Sequence, residues 1–482
     1  MGYKKWIIPS ALAGLSAVLV ARALAFQPPE DSLFAVERAE VDTAEVAHRL
    51  GQMIRCKTVS SRDGRLVDAA EFEKFRALLA DLYPNVHRVC EVERIGPSGI
   101  LYTWKGKSSC APVVLMSHYD VVPADEAAWE KPPFAGLVED GFVWGRGTLD
   151  TKGTLCGILE AAEGLISQGF VPENDLYLAF SGDEEIAGET APAMVAEFER
   201  RGIKPAMVLD EGGAVVENVF PGVTRPAALV GTSEKGMLDV ELSVESQGGH
   251  ASCPPPQTPI GKLALAAVCL EHAPFPSRLT PPVRAMFDTL GRHSSFAHRL
   301  IFANLWCFKP LLAALFRRQG GELNAMLRTT CAFTMMEGSN ASNVLPPVAK
   351  MSANLRLLEG DTPESAVERL QTIATAVSQG DIEVRTIYGM EPSPDSQTTG
   401  YQWDALKSAI RQTWPEAIVS PYLMFAASDA RHYARICDRV YRFSAMALSK
   451  EERALIHGHN ERMPLDTLGK IVQFYTRLMR RC

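Results

Sequence analysis

The chain sets histidine and carboxylate side chains directly after a series of short apolar runs. His118 closes the run that begins at Val113, within Ser117-His118-Tyr119-Asp120. Asp150 follows Gly145-Arg146-Gly147-Thr148-Leu149, Glu184 and Glu185 follow the run 176–180, and Asp210 follows Met207-Val208-Leu209. His457 lies far downstream, in His457-Gly458-His459-Asn460-Glu461. Two histidines, two or three carboxylates and no thiolate suit zinc in a site with one position left open for water. Two such metals ~3.5–4 Å apart can share a bridging carboxylate and activate the water between them. In His118-Tyr119-Asp120 the first and third side chains point the same way on extended backbone, so Asp120 can orient the ring. Taken singly, each residue has a plainer reading. A histidine at a strand end is more often a satisfied polar group, Asp150 could cap a helix, and Glu184-Glu185 could be a solvated turn. The plain readings do not account for five such groups after successive strands.

These residues need elements that bring them together. Residues 113–116, 176–180 and 207–209 read as buried strands, and 153–168 carries helical spacing through Leu155, Ile158, Leu159, Ala162 and Leu165. Strands alternating with helices predict a mainly parallel sheet covered on both faces, with ligands bound at the carboxyl ends of its strands. From Gly236 the pattern changes. Residues 237–244 alternate polar with apolar, and a helix (259–271), two strands (330–335 and 351–357), a helix (363–377) and a strand (382–387) follow. That βαββαβ order is the ferredoxin-like motif. The expected fold is therefore α/β: a discontinuous catalytic domain (33–235 and 391–482) interrupted by an α+β lid (236–390) that is also a candidate dimerisation domain. Residues 275–327 exceed the lid's minimal plan. Lys309-Pro310 in the middle of that apolar stretch excludes a membrane span, and a helical hairpin packed over the cleft is expected instead.

The set Ser117-His118-Tyr119-Asp120-Val121-Val122-Pro123, Gly145-Arg146-Gly147 with Asp150, Glu184-Glu185, Asp210 and His457 resembles the carboxypeptidase S and aminoacylase family of di-zinc peptidases. Leu327-Arg328-Thr329-Thr330 and Asn343-Val344-Leu345-Pro346-Pro347 resemble the branch of that family holding N-fatty-acyl-amino-acid hydrolase/synthases and carboxypeptidase S. The resemblance runs from about Leu50 to the C-terminus. It implies two Zn2+ per subunit, with Co2+ or Mn2+ as substitutes. One would be held by His118, Asp150 and Asp210, the other by Asp150, Glu185 and His457. It implies Glu184 as general base, Asp120 beside His118, and His250 of the lid stabilising an oxyanion. Asn343 and Arg356 would hold the substrate's carbonyl or carboxylate, and Asp429 and Arg431 would line the cleft. The sequence departs from the family at Ala427-Ser428-Asp429, where Gly-Thr-Asp is usual, and at His459.

The implied reaction is hydrolysis of the amide that joins a C-terminal amino acid to a peptide or an acyl group. The alternatives are hydrolysis of another small N-substituted amino acid and a catalytically silent binding protein on the same scaffold. No G-x-S-x-G elbow supports a serine hydrolase. A net charge of −8 argues against nucleic acid as the partner; a small peptide or N-acyl amino acid is the substrate that the resemblance implies. Residues 1–26, with Lys4 and Lys5 before an apolar run and Ala23-Leu24-Ala25 after it, read as a signal peptide or an uncleaved membrane anchor. Either places the catalytic part outside the cytoplasm. Residues 27–32 read as a linker. Ten cysteines without a C-x-x-C pair leave disulfides unassigned. Phe296, Leu300, Ile301, Phe302, Leu305, Trp306 and Phe308 read either as packed core or as the lining of an acyl channel or a membrane contact.

Overall fold

The computed structural model describes residues 4–29, 36, 37 and 39–482. Residues 30–32 of the expected linker, and residue 33 where the catalytic segment was placed to begin, lie outside the described residues. In chain order the helices named below are α1 (Lys4–Ala25), α2 (Lys152–Ser167), α3 (Pro259–His272), α4 (Pro281–Arg292), α5 (Phe296–Phe302), α6 (Leu305–Gln319) and α7 (Pro363–Ser378). The strands are β1 (Glu91–Ile95), β2 (Gly99–Trp104), β3 (Ser108–His118), β4 (Asn174–Ser181), β5 (Met207–Val216) and β6 (Ala227–Glu234), then β7 (Gly236–Glu245), β8 (Thr330–Glu337), β9 (Val348–Leu357) and β10 (Ile382–Met390), and finally β11 (Ile418–Met424) and β12 (Val440–Ala447).

The larger sheet has the order β1-β2-β4-β3-β5-β12-β6-β11. Its centre, β4-β3-β5-β12, is parallel, and so is the β6–β11 edge pair. Val113 to Leu115 and Leu176 to Phe180 are apolar without alternation because both faces of the sheet are covered. Leu115 pairs with Leu178 on one side and Leu209 on the other, so β3 and β4 end level, while β5 runs in register with them to Leu209 and continues to Val216. His118 consequently stands opposite Ser181. α2 begins two residues after Asp150 and buries Leu155, Ile158, Leu159, Ala162 and Leu165 in the core beneath this sheet. Far along the chain, strand Arg462–Pro464 pairs with Phe142–Trp144. This small ladder carries the 457–461 loop back to the 145–150 turn.

The inserted sheet has the order β8-β9-β7-β10 and is antiparallel throughout. α3 and α7 cover one face, where Leu238, Val240, Leu242 and Val244 meet Leu263, Leu355 and Leu370. The alternate residues Asp239, Glu241 and Ser243 face away, as the period of a pleated strand requires. The two chain crossings into this unit lie side by side. The Glu234 N–H donates to Ser393 Oγ (2.8 Å), and the Ser393 N–H donates to the Glu234 carbonyl (3.0 Å). At Gly236 a Cβ would stand 2.5 Å from the Met390 carbonyl oxygen, so only glycine lets the crossings approach this closely.

Residues 275–327 depart from the expected hairpin over the cleft. They form α4, α5, α6 and the helix Gly321–Leu327, packed on the flank of the larger sheet. Val283, Phe287, Leu290, Phe302, Leu312 and Phe316 join Ala227, Leu229, Ile418 and Leu423 of β6 and β11. A helix of this composition meets whichever apolar face is open, and the sheet edge offers more of it than a polar cleft. The cavity left between α4 and α6, lined by Phe287, Leu305, Leu312 and Ala313, measures about 10 Å3. No single helix among the described residues is long and apolar enough to cross a membrane, although α5 and α6, bent by 103°, pass that test together by length and composition. All ten cysteines are free.

Candidate metal centre

The strands in register, the turn before α2 and the 457–461 loop deliver the acidic and imidazole groups to one place. His118 is 2% exposed, and its Nδ1 faces the Asp120 carbonyl oxygen at 3.0 Å. That contact leaves Nε2 to face Asp150 Oδ1 at 3.0 Å and Glu211 Oε1 at 3.3 Å. His457 Nε2 faces the other carboxylate oxygen, Asp150 Oδ2, at 2.9 Å, and Glu185 Oε2 at 3.1 Å. Asp150 therefore divides its two oxygens between two histidines. Glu184 Oε2 lies 4.0 Å from His118 Nε2. The Asp120 carboxylate accepts the backbone N–H groups of Glu184 and Glu185, each at 3.2 Å, and so sets the turn that carries both.

Asp210 does not join this cluster. Its Oδ1 accepts the Glu211 N–H and its Oδ2 the Ala430 N–H, both at 2.9 Å. The reason is the strand period. Neighbouring side chains on β5 point to opposite faces, so one of two adjacent carboxylates can meet His118, and that one is Glu211. Two carboxylates after an apolar run are the available signal; the sequence reading takes Asp210 as the ligand, and in the structure Glu211 is the one that faces His118.

Asp429 is buried, and its Oδ2 accepts the Ser181 hydroxyl at 2.5 Å. Ser428, where the sequence departs from Gly-Thr-Asp, donates its hydroxyl to Glu234 Oε1 at 2.7 Å. Glu234, fully buried, also pairs with Arg442 (2.5 Å) and Arg431 (3.4 Å). Arg431 further donates to the Glu391 carbonyl oxygen at 2.9 Å, and feels the charge of Arg356 across from the inserted unit. His250 and Asn343 lie together on the inserted unit, where His250 pairs with Val344 and the Ala251 N–H donates to the Asn343 carbonyl oxygen. Both are exposed, and His250 Nδ1 bonds Ser252 Oγ at 2.7 Å, so the structure does not gather them with the carboxylates. His459 is exposed and outside the cluster.

Two residues to which the sequence reading gave no role hold the Asp150 turn. Glu461 Oε1 accepts the N–H groups of Gly147 (3.1 Å), Leu149 (2.8 Å) and Asp150 (3.3 Å), while Oε2 accepts Arg146 Nη1 at 2.6 Å. Arg146 also donates to the carbonyl oxygens of His457 and Gly458. This buried pair fastens the turn carrying Asp150 to the loop carrying His457.

The electrostatics call for cations. Burial pushes the Glu211 carboxyl up to about 8, with Asp150 adding to the effect. Burial likewise lifts Glu184 well above its usual range, partly countered by His118. Burial alone would depress the His118 imidazole, but Glu211, Asp120 and Asp150 overcome it and raise the ring well above its ordinary value. His457 is pushed up to about 10 by its hydrogen bonds to Asp150 and Glu185. Burial of four carboxyls around two imidazoles holds Glu184 and Glu211 toward their protonated forms, and divalent cations in their midst would let them ionise. Donor atoms of His118, Glu184 and Glu211, and of His118, Asp150 and Glu185, lie within 4.8 Å of one another, as metal ligands do.

A mainly parallel α/β sheet with a histidine–carboxylate metal centre at its strand ends, interrupted by a ferredoxin-like unit, defines a metal-dependent hydrolase of amide bonds. The chain belongs to peptidase family M20/M25/M40, whose family model matches residues 114–481. It is 34% identical to a probable carboxypeptidase S-like 2 of Dictyostelium discoideum, over 99% of this chain and 93% of that protein. It is also 34% identical to the N-fatty-acyl-amino acid synthase/hydrolase of Xenopus tropicalis, over 92% of this chain and 87% of that protein. Among solved structures, an M20 family metallo-carboxypeptidase from Sulfolobus solfataricus shares the fold, with a TM-score of 0.65 at 17% identity, covering 92% of this chain and 99% of that one.

Proposed function

We propose that this enzyme uses two zinc ions to cleave the amide between a C-terminal amino acid and a peptidyl or acyl group. The observation that carries the reading is Asp150, whose two oxygens face His118 and His457 separately, as a bridging ligand must. His118, Asp150 and Glu211 would hold one ion, and Asp150, Glu185 and His457 the other. Glu211 thus takes the place first assigned to Asp210. Bound zinc supplies Lewis acidity and brings the pKa of water toward ~7. Glu184 takes the proton from the attacking water and returns it to the leaving nitrogen, a role that its raised pKa supports. Asp120 holds the Glu184 backbone in place for that transfer.

The substrate carboxylate is proposed to meet Arg356, with Arg431 and Asp429 lining the same side. His250 and Asn343 reach the substrate when the inserted unit closes, or act in a partner subunit's site if that unit forms a homodimer. Export, with residues 1–26 as a cleaved leader or an anchor, belongs to the same proposal. The names of the two relatives support both peptide and N-acyl amino acid substrates. The test is metal analysis of the purified protein together with turnover of C-terminal dipeptides and N-acyl amino acids. Two zinc per chain and EDTA-sensitive hydrolysis are expected. A zinc-loaded protein that cleaves neither class refutes the reading.

A further inference from the structure

The outer side of the helical insert has no role in the metal chemistry. α6, Leu305-Trp306-Cys307-Phe308-Lys309-Pro310-Leu311-Leu312-Ala313-Ala314-Leu315-Phe316-Arg317-Arg318-Gln319, buries Leu312 and Phe316 against Phe287 and the sheet edge. Apolar side chains outside that buried strip stand in water as well: Trp306 is 60% exposed, Leu311 52% and Leu315 50%. A helix that keeps large apolar side chains in water beside its buried strip lacks a partner for them.

α1 extends this surface. Arg22 donates from Nε and Nη2 to the Ala303 carbonyl oxygen, at 3.1 and 3.0 Å. Buried Asn304 donates to the Leu19 carbonyl oxygen (3.0 Å) and accepts the Trp306 indole N–H (3.3 Å). Trp306 is thereby fixed at the junction of α1 and α6. Leu15, Val18, Val20 and Leu24 of α1 are exposed in their turn.

Charge identifies the occupant. None of α1, α5 and α6 contains an aspartate or glutamate, in a chain whose 57 acidic residues outnumber its 49 basic ones. Lys309, Arg317 and Arg318 are exposed on α6, among its apolar side chains. A second copy of this chain docked about a two-fold axis would set these cations against themselves. An anionic lipid surface matches them, and a tryptophan between apolar and wet regions is the side chain that favours such an interface.

We propose that α1, α5 and α6 form a surface that docks on an anionic lipid bilayer, with the exposed side of α6 lying in the headgroup region. The proposal is independent of the metal chemistry. Cys307 is exposed on α6 and gives a direct probe. In the full chain, with exposed Cys110 and Cys253 changed to serine, an environment-sensitive NBD label is placed on Cys307. Vesicles of phosphatidylcholine with and without phosphatidylglycerol are then added. A blue shift with the phosphatidylglycerol vesicles, quenched by a nitroxide near the headgroups, is expected. Trp306→Gln/Leu311→Gln/Leu315→Gln should abolish that shift and weaken vesicle binding about tenfold or more, while hydrolysis of a short N-acetyl amino acid stays unchanged. If the labelled protein floats with vesicles while its emission remains that of a water-exposed probe, α1 alone makes the attachment and the proposal falls. It falls equally if, without lipid, the triple variant turns a dimer into a monomer.

Discussion

Removing the carboxylate charge of Glu461 should weaken the enzyme in two separable ways. In Glu461→Gln the amide oxygen still accepts the N–H groups of Gly147, Leu149 and Asp150, but the amide nitrogen faces the Arg146 guanidinium, donor against donor. Arg146 is 2% exposed, and a buried charge left without its partner costs about 3–5 kcal/mol. Arg146→Met leaves the opposite charge stranded and should cost a similar amount. The double variant strands neither, so its loss should fall short of the sum by at least about 2 kcal/mol. Urea midpoints of the four proteins, stripped of metal with EDTA, measure this coupling. Zinc affinity gives the second reading. Because Glu461 holds the turn that carries Asp150, Glu461→Gln should bind zinc about 10–100-fold more weakly, and the double variant should regain stability without regaining that affinity. Additive losses, within about 0.5 kcal/mol, would show that the pair does not act as a unit and refute the reasoning.

Glu184→Gln should keep both metals and lose turnover by ~10²–10⁴-fold, since an amide cannot take the proton; a near-normal kcat removes Glu184 from the role. Asp150→Ala should empty both metal positions, Glu211→Ala about one of them, and Asp210→Asn neither. More metal lost from Asp210→Asn than from Glu211→Ala would return the ligand role to Asp210. Lys235, fully buried beside the crossings, donates to the carbonyl oxygens of Ala325 and Arg328, and burial lowers its pKa to about 7 with Arg356 adding to the effect. Between about pH 7 and the usual lysine value the unfolded chain binds the extra proton, so wild-type stability should rise with pH relative to Lys235→Met across that window. Parallel urea curves at every pH would contradict this.

The metal centre was legible to the extent that its residues follow strands. His118, Glu184 and Glu185 stand just after apolar runs, Asp150 just precedes α2, and Leu115, Leu178 and Leu209 are in register across β3, β4 and β5. Glu211, which the structure sets facing His118, was not singled out because adjacent carboxylates look alike in a sequence. Glu461 was missed for another reason: it acts on backbone N–H groups, which every residue carries, and so leaves no motif. The inserted βαββαβ unit could be read from the alternation of 237–244 and 351–357. The placement of α4 to α6 could not, because apolar helices do not encode which apolar face they will meet.

The paired chain crossings have a mechanical consequence. A rigid body tied to another by two cords fastened at one spot can swing about that spot but can neither slide away nor tilt freely. Glu234 and Ser393 clasp the two cords together, and Gly236 leaves no room for a side chain between them. If the inserted unit closes on the metal centre as proposed, it turns about this spot, and His250 travels further than residues nearer the clasp. The interval between labels on exposed Cys110 and exposed Cys253 would follow that motion. Glu234 also holds Ser428, Arg431 and Arg442, so the pivot and the loop beside the substrate share a single carboxylate. The swing and the shape of that loop are thus turned by the same pin.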